Sequence, residues 1–498
     1  MKVGIIGAGA MGSGIAQVAA AAGETVLLVD ARAGAAEAAV HSVRARFRSL
    51  AEKGKLSADQ ANAAGTRLAA AASLRELSDS GLVLEAIVED LAAKRELFTA
   101  IDGIIAPACL LATNTSSLSL AAIATALGAP ERLVGMHFFN PAPLMALVEV
   151  VGSVVTSAAA LEAVERLARA WGKTAVRVRA TPGFIVNRVA RPFYAEGLRL
   201  LAEQATDPAT LDALLREAGA FRMGPCELTD LIGQDVNFAV TSAVFRAYFG
   251  DPRFQPSLVQ QELVEAGWLG RKSGRGFFRY AGDATRPSPQ TESPCPPPER
   301  LALAGIPGND PLADALAARL QAAGIETVRD SRLPTDVLLR VSDGRTALEC
   351  ETQGDQPQPT VVADLARDYT TVTRLALAAS PHCHAQGWAD VVGALQAAGI
   401  AVSRLRDLPG LAVLRTVAML ANEAADAVHF GVADAAGVDT AMRLGVNYPL
   451  GPLAWADAIG PARVLAALAA LGAYYGEDRY RISPLLRQKV WSGEPLHV

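Results

Sequence analysis

The run Gly7-Ala8-Gly9-Ala10-Met11-Gly12 constrains this chain more than any other feature. The apolar stretch VGIIG at 3–7 leads into it, and an Ala-rich helical stretch to about Ala22 follows. TVLLVD at 25–30 reads as a second buried strand that closes on Asp30. A GxGxxG pattern alone is weak; a strand before it, a helix after it and an acid about twenty residues on make it specific for a dinucleotide. Gly7 permits the tight turn, Gly9 lets the backbone approach a pyrophosphate, and Gly12 lets helix and strand pack closely. Ala10 and Met11 open a helix whose free N–H groups and positive dipole end face the phosphates. A carboxylate at Asp30 accepts from ribose hydroxyls and repels a 2′-phosphate, which favours NAD over NADP. Arg32 nearby pulls the other way. A plain tight turn without a ligand fits this context poorly.

Further strands alternate with helical stretches. A long, partly basic helical region runs from about Ala35 to Ala70. GLVLEAIVE (81–89), CLLATNTS (109–116), RLVGMHFFN (132–140) and MALVEVV (145–151) read as strands. This alternation predicts a mostly parallel sheet covered on both faces. After Thr181-Pro182-Gly183 nearly everything to Arg279 reads as helix. GDATRPSPQTESPCPPPER (282–300) is a Pro-rich linker. The expected architecture is an α/β Rossmann-like domain at 1–181 and an all-α domain at 182–281. The linker and a small, irregular α/β segment follow at 282–404, then a second all-α domain at 405–498.

That last domain repeats the first helical one. Pro182-Gly183-Phe184-Ile185-Val186-Asn187-Arg188 lines up with Pro409-Gly410-Leu411-Ala412-Val413-Leu414-Arg415. The same gapless register brings Gly224-Pro225 onto Gly451-Pro452, Asp230 onto Asp457 and Gly233 onto Gly460. Two unrelated segments sharing Pro-Gly caps would not hold one offset over so many positions.

Composition supports a globular, multidomain chain: 498 residues, 51% hydrophobic, 19% charged. A net charge of −5 gives no footprint for nucleic acid. No run of 18 apolar residues suggests a membrane span, and no signal-like start precedes the first strand. The five cysteines are scattered, which fits free thiols in a cytoplasm. His382-Cys383-His384 is set aside as a metal site, because three adjacent ligands cannot wrap one tetrahedral ion.

His137 sits in GMHFFNPAP, just after a strand, where a lone histidine is ordinarily a satisfied core residue. Three neighbours argue otherwise: Glu149 at the end of the next strand, Ser116 in TNTSS after the previous one, and Asn187 just past the Pro-Gly hinge. Open parallel sheets bind ligands outside the carboxyl ends of their strands. An alcohol that gives up hydride must also lose its proton, which a neutral imidazole can take. A carboxylate on the other ring nitrogen fixes the tautomer, while a hydroxyl and an amide hold the substrate oxygen.

GAGAMGSGIA, VLEAIVED, TNTSSLS, MHFFNPAPLMALVEVV and TPGFIVNR together resemble the 3-hydroxyacyl-CoA dehydrogenase family, including 3-hydroxybutyryl-CoA dehydrogenases, over roughly residues 1–280. The resemblance implies an NAD-dependent oxidoreductase acting on an acyl-CoA thioester. It implies His137 as base with Glu149 as partner, Ser116 and Asn187 as substrate-binding groups, and Glu89, Lys94 and Asn114 beside the cofactor. Ser42, Lys53 and Lys55 are the family-implied CoA contacts, with a solvated basic helix face as the competing reading. In this picture acyl-CoA enters between the first two domains. Long members with a duplicated C-terminal domain resemble the 3-hydroxyadipyl-CoA dehydrogenases of phenylacetate breakdown. A small β-hydroxyacid dehydrogenase, which leans on a lysine base, and a non-catalytic NAD-binding structural protein are the rivals. In the second helical copy Leu414 replaces Asn187 and cannot hydrogen-bond a substrate, so that copy is read as structural. It is expected to pack on the first copy, mimicking within one chain the contact of a homo-oligomer.

Overall fold

The computed structural model describes residues 1–282, 284–305, 308–329, 337–353 and 357–497. The chain forms two compact units: Met1–Arg188 with Phe430–Val446, and Val189–His429 with Asn447–Val498.

The first unit is built on strands β1 (Lys2–Ile6), β2 (Thr25–Val29), β3 (Leu68–Ala70), β4 (Leu82–Glu85), β5 (Leu110–Thr113), β6 (Leu133–Phe138), β7 (Leu147–Gly152) and β8 (Thr174–Arg179). They lie in the order β3-β2-β1-β4-β5-β6-β7-β8, all parallel except for the antiparallel β6–β7 pair. The central strands are apolar on both sides, as a sheet covered on both faces requires, and Val3, Ile5, Leu82, Val83, Leu84, Leu111 and Ala112 are fully buried. The helical region expected from about Ala35 to Ala70 consists of two helices, Ala35–Glu52 and Ala58–Thr66, and its last residues form β3. Gly54, at φ 67°, ends the first, and the Ser57 hydroxyl, accepting from the Gln60 amide, starts the second. The second copy contributes the helix Ala435–Gly445 to this unit, packed on β7 and β8.

The second unit carries the remaining helices and a sheet of its own, formed by β9 (Arg300–Leu303), β10 (Glu326–Val328), β11 (Leu338–Val341), β12 (Thr360–Ala363), β13 (Arg374–Ala379) and β14 (Ala401–Arg404). The order is β10-β9-β11-β12-β13-β14, with β12–β13 antiparallel. The segment expected to be irregular is thus a regular six-stranded sheet. Its second half repeats the first sheet at the same offset as the helical domains. β13 falls on β7, the helix Ala385–Ala397 on Ala158–Ala170, and the β11–β12 register on β5–β6. Backbone conformation follows suit. Phe184 and Leu411 both lie at positive φ (51° and 46°), as do Ala220 and Asn447 (55° and 56°). The duplication therefore reaches well upstream of Pro182.

Within this unit the two helical copies pack together, Arg191–Ala202 against Val413–His429. Buried Arg415 donates to Glu196 of the first copy at 2.6 Å, and buried Arg253 to Glu423 of the second at 2.9 Å. The Pro-rich linker is docked rather than free: Gln290 and Glu292 give their N–H groups to Thr210 and the Val402 carbonyl. Among the described residues no single helix is long and apolar enough to cross a membrane.

Candidate active site

In the first unit the turn after β1 places Gly7 at φ 106°, and a Cβ on Gly12 would stand 1.8 Å from the Gly7 carbonyl oxygen. Only glycine permits that approach. The helix Ala10–Ala21 starts at Gly9 with no side-chain cap, so its first-turn amides remain open to an anion. A Cβ on Gly9 would meet nothing within 4 Å. Gly9 borders a cavity of about 1020 Å3 lined also by Gly7, Ala10, Met11, Asp30 and Ala86. Asp30 accepts from the Ala8 amide at 2.7 Å and from Arg32. The Arg32 guanidinium holds the Asp30 carboxyl down at about 2. Arg32 is thus turned onto Asp30, whose carboxylate remains at the cavity edge. The open amides, the bare glycine and this carboxylate fit an adenine dinucleotide with a free 2′-hydroxyl.

A second polar cluster lies at the ends of β4 and β5. Lys94 is almost fully buried and donates to Glu85 at 2.5 Å, with Glu89 at 3.2 Å. Glu85 also accepts from the Thr113 hydroxyl and the Ile87 amide. Glu89 gathers the Thr115 and Ser117 hydroxyls and the amides of Ser116 and Ser117. Burial opposes the Glu89 charge, yet Thr115, Lys94 and the Ser116 amide together hold its carboxyl below the usual range. Asn114 accepts from the Phe138 amide at 2.8 Å, tying the β5 loop to β6. Sequence reasoning singled out Lys94, Glu89 and Asn114 but missed Glu85, Thr113 and Thr115. A lone acid inside the apolar strand VLE was the signal for Glu85, because buried carboxylates need partners.

His137 of β6 and Glu149 of β7 are direct cross-strand partners in the antiparallel register. The imidazole Nδ1 lies 2.6 Å from Glu149 Oε2, and both side chains are buried. Glu149 Oε1 accepts the amides of Ile185 and Val186, each at 3.0 Å. Both carboxylate oxygens therefore act as acceptors, so Nδ1 carries the proton and Nε2 offers the lone pair. Phe139 and Phe184 flank the ring, with centroids at 4.6 and 5.6 Å. Asn187 is half-buried in the helical turn Val186–Val189, next to the amide held by Glu149. Ser116 stands in the loop after β5, the strand beside β6. The fold thus pairs His137 with Glu149, sets Asn187 one residue past the Val186 amide that Glu149 holds, and leaves Ser116 one strand over. Ser42, Lys53 and Lys55 are exposed on the helix Ala35–Glu52 and the turn after it. No contact joins them to the dyad among the described residues.

The second copy has lost this arrangement. Asp364 occupies the place of His137 and Ala376 that of Glu149. Asp364 takes over the capping role itself, accepting from the amides of Ala412, Val413 and Leu414. The helix Pro311–Ala322, which follows β9, is capped by the Asp310 carboxylate, which also pairs with Arg463 at 2.6 Å. By sheet order this helix matches Leu91–Asp102, which is likewise capped by an aspartate, Asp90.

Comparison with known proteins finds matches to one family along the chain. The NAD binding domain of 3-hydroxyacyl-CoA dehydrogenase matches residues 2–181, and its C-terminal domain matches twice, at 183–280 and 410–495. The 3-hydroxybutyryl-CoA dehydrogenase reduced Rossmann-fold domain matches 339–409. The chain belongs to the 3-hydroxyacyl-CoA dehydrogenase family. As a member it is an oxidoreductase that uses NAD to oxidise the CH–OH group of 3-hydroxyacyl-CoA thioesters. It is 44% identical over 496 residues to a 3-hydroxyadipyl-CoA dehydrogenase of Escherichia coli K12, covering 98% of this chain and 97% of that one. A crystal structure of a 3-hydroxybutyryl-CoA dehydrogenase from E. coli K12 superposes with a TM-score of 0.88 at 42% identity, covering 99% of each chain. A probable 3-hydroxybutyryl-CoA dehydrogenase of Bacillus subtilis is 40% identical over 276 residues, which cover 55% of this family member and 96% of that relative.

Proposed function

We propose that this dehydrogenase converts (S)-3-hydroxyacyl-CoA to 3-oxoacyl-CoA with His137 as general base, and that 3-hydroxyadipyl-CoA is its substrate. The observation that carries the base assignment is the buried 2.6 Å His137–Glu149 pair. With Nδ1–H held by the carboxylate, Nε2 faces the substrate hydroxyl and takes its proton, while Glu149 steadies the resulting imidazolium. Ser116 and Asn187 donate to the C3 oxygen and polarise the forming ketone. NAD, when bound, supplies the hydride acceptor. Gly7, Gly9, Ala10, Met11 and Gly12 seat its pyrophosphate and Asp30 its ribose. Asn114 and the Glu89–Lys94 cluster shape the nicotinamide end. Ser42 and Lys53 are assigned to the CoA moiety. Reduction of a 3-oxoacyl-CoA uses the same groups in reverse. The adipyl assignment is supported by 44% identity across nearly the whole of the E. coli 3-hydroxyadipyl-CoA dehydrogenase; a 3-hydroxybutyryl-CoA dehydrogenase structure of the same two-copy length keeps the butyryl thioester as the competing substrate. A cytoplasmic location agrees with its five free cysteines. The second copy replaces within one chain the partner that a single-copy relative would need.

Turnover of acetoacetyl-CoA with NADH, followed at the nicotinamide absorbance, tests the reaction. His137→Gln is expected to lose most turnover and keep NADH affinity; a wild-type kcat in that variant refutes the base assignment. Comparing 3-hydroxybutyryl-CoA with 3-hydroxyadipyl-CoA tests the acyl group, and a higher kcat/KM for the butyryl substrate overturns it.

A further inference from the structure

The catalytic sheet is not covered by the first copy alone. The helix Ala435–Gly445, from the copy that has lost His137 and Glu149, packs on β7 and β8 within the first unit. Its N-terminal end is fixed. The Arg179 amide at the end of β8 donates to the Val432 carbonyl at 2.8 Å, and Asp434 caps the helix through the Gly437 amide at 2.7 Å. Val438, Ala441 and Met442 are fully or nearly fully buried. At its last residue, Gly445, the helix touches the machinery. A Cβ there would lie 2.8 Å from a Val186 methyl and 2.9 Å from a Leu147 methyl. Real Cβ atoms do not come that close, so one of the neighbours would have to move.

Both neighbours are linked to Glu149. Val186 gives it an amide hydrogen bond and precedes Asn187. Leu147 lies two residues before Glu149 on the same face of β7. Gly445 is not among the residues at positive φ, so its backbone does not demand glycine. Space does. The first copy shows the contrast, because Ala218 stands at the equivalent position and carries its methyl. The sparing of a Cβ is confined to the helix that abuts the functional carboxylate.

We propose that Gly445 is a positioning residue for the dehydrogenation. It lets the helix lent by the silent copy press Val186 and Leu147 into the seat that fixes Glu149, and through it His137 and Asn187. The second copy is therefore part of the first copy's catalytic site. This inference rests on the function proposed above. If the wild type fails to turn over acetoacetyl-CoA, that reading falls; if the wild type is active and the variants below do not behave as stated, only the present one does.

The experiment is a double-mutant cycle in the full chain. Displacements of the order of 1 Å near a reacting group cost up to about a hundredfold. Gly445→Ala is thus expected to lower kcat roughly tenfold to a hundredfold, with KM for NADH changed less than about twofold. Val186→Ala keeps the amide but leaves a void, and is expected to lower kcat several-fold. The double variant Val186→Ala/Gly445→Ala, in which the new methyl takes the space of a lost Val186 methyl and only the tip of Leu147, at 2.9 Å, must rotate aside, is expected to recover kcat above either single variant. Ala436→Gly, exposed on the same helix, changes helix propensity by the same amount in the opposite sense without touching Val186 or Leu147, and is expected to keep wild-type kcat. Should Gly445→Ala not fold, the comparison of Val186→Ala with the double variant still decides. Equal kcat in those two, or an additive loss in the double variant, overturns the proposal.

Discussion

Glu149→Gln probes the dyad without emptying its site. Glutamine has the shape of glutamate but only one acceptor oxygen. Two buried amides, from Ile185 and Val186, already converge on Oε1 at 3.0 Å each. Leaving a buried donor unmatched costs about 1–3 kcal/mol apiece, so the glutamine oxygen stays there and its NH2 group turns to His137 Nδ1, 2.6 Å away in the native pair. Nδ1 must then become the acceptor, which moves the ring proton to Nε2, the nitrogen that has to accept from the substrate. The base is held in the wrong tautomer. The equivalent carboxylate-to-amide change in the serine-protease triad costs about 10⁴ in kcat. A loss of about 10³–10⁴ is expected here, equivalent to about 4–5.5 kcal/mol of transition-state stabilisation. The assay is steady-state reduction of acetoacetyl-CoA by NADH, with NADH affinity from its fluorescence and folding from thermal unfolding. Cofactor affinity and folding are expected to stay near wild type. A variant that folds, binds NADH and retains more than a tenth of wild-type kcat would refute the tautomer argument.

Two further outcomes follow from the same geometry. Gly12→Ala, whose methyl would overlap the Gly7 carbonyl, is expected to lower stability by about 1–3 kcal/mol and abolish NADH binding. Gly9→Ala meets no protein atom within 4 Å, so its thermal midpoint is expected to hold while NADH affinity drops at least tenfold; equal affinities in the two variants would contradict the assignment of the turn. Burial pushes the Asp364 carboxyl up from 3.8 to about 6. The folded state then holds a proton that the unfolded chain has released, so stability is lost as pH rises from about 4 to about 6, by about 3 kcal/mol in all. Asp364→Asn cannot titrate, and the urea-unfolding free energy of the wild type relative to it is expected to decline over that range; a pH-independent difference would exclude this role.

The resemblance of the second helical domain was legible in the sequence from Pro409 onward, because Pro-Gly turns and Gly-Pro helix starts are spelled by residue type. Its upstream half was not, because TVVADL and LVGMHF share a place in a sheet without sharing side chains. Asp364 could be recognised as the heir of His137 only once the strand registers of both sheets were known. Glu85 and Thr113 escaped for a related reason: an acid at a strand end gains meaning when the lysine nine residues on turns back into the core to meet it.

Short-range stereochemistry determined the rest. Gly7-x-Gly9-x-x-Gly12 and Asp30 specify a dinucleotide turn through local backbone geometry, and His137, Glu149, Ser116 and Asn187 could be named from their motifs alone. Tertiary structure decided what those residues touch. The antiparallel β6–β7 register set His137 against Glu149, and a helix from nearly three hundred residues downstream, Ala435–Gly445, came to rest against the strand that bears the carboxylate. Local conformation depends on neighbours in the chain, whereas pairing and packing depend on sheet register and on excluded volume between segments that the sequence keeps far apart.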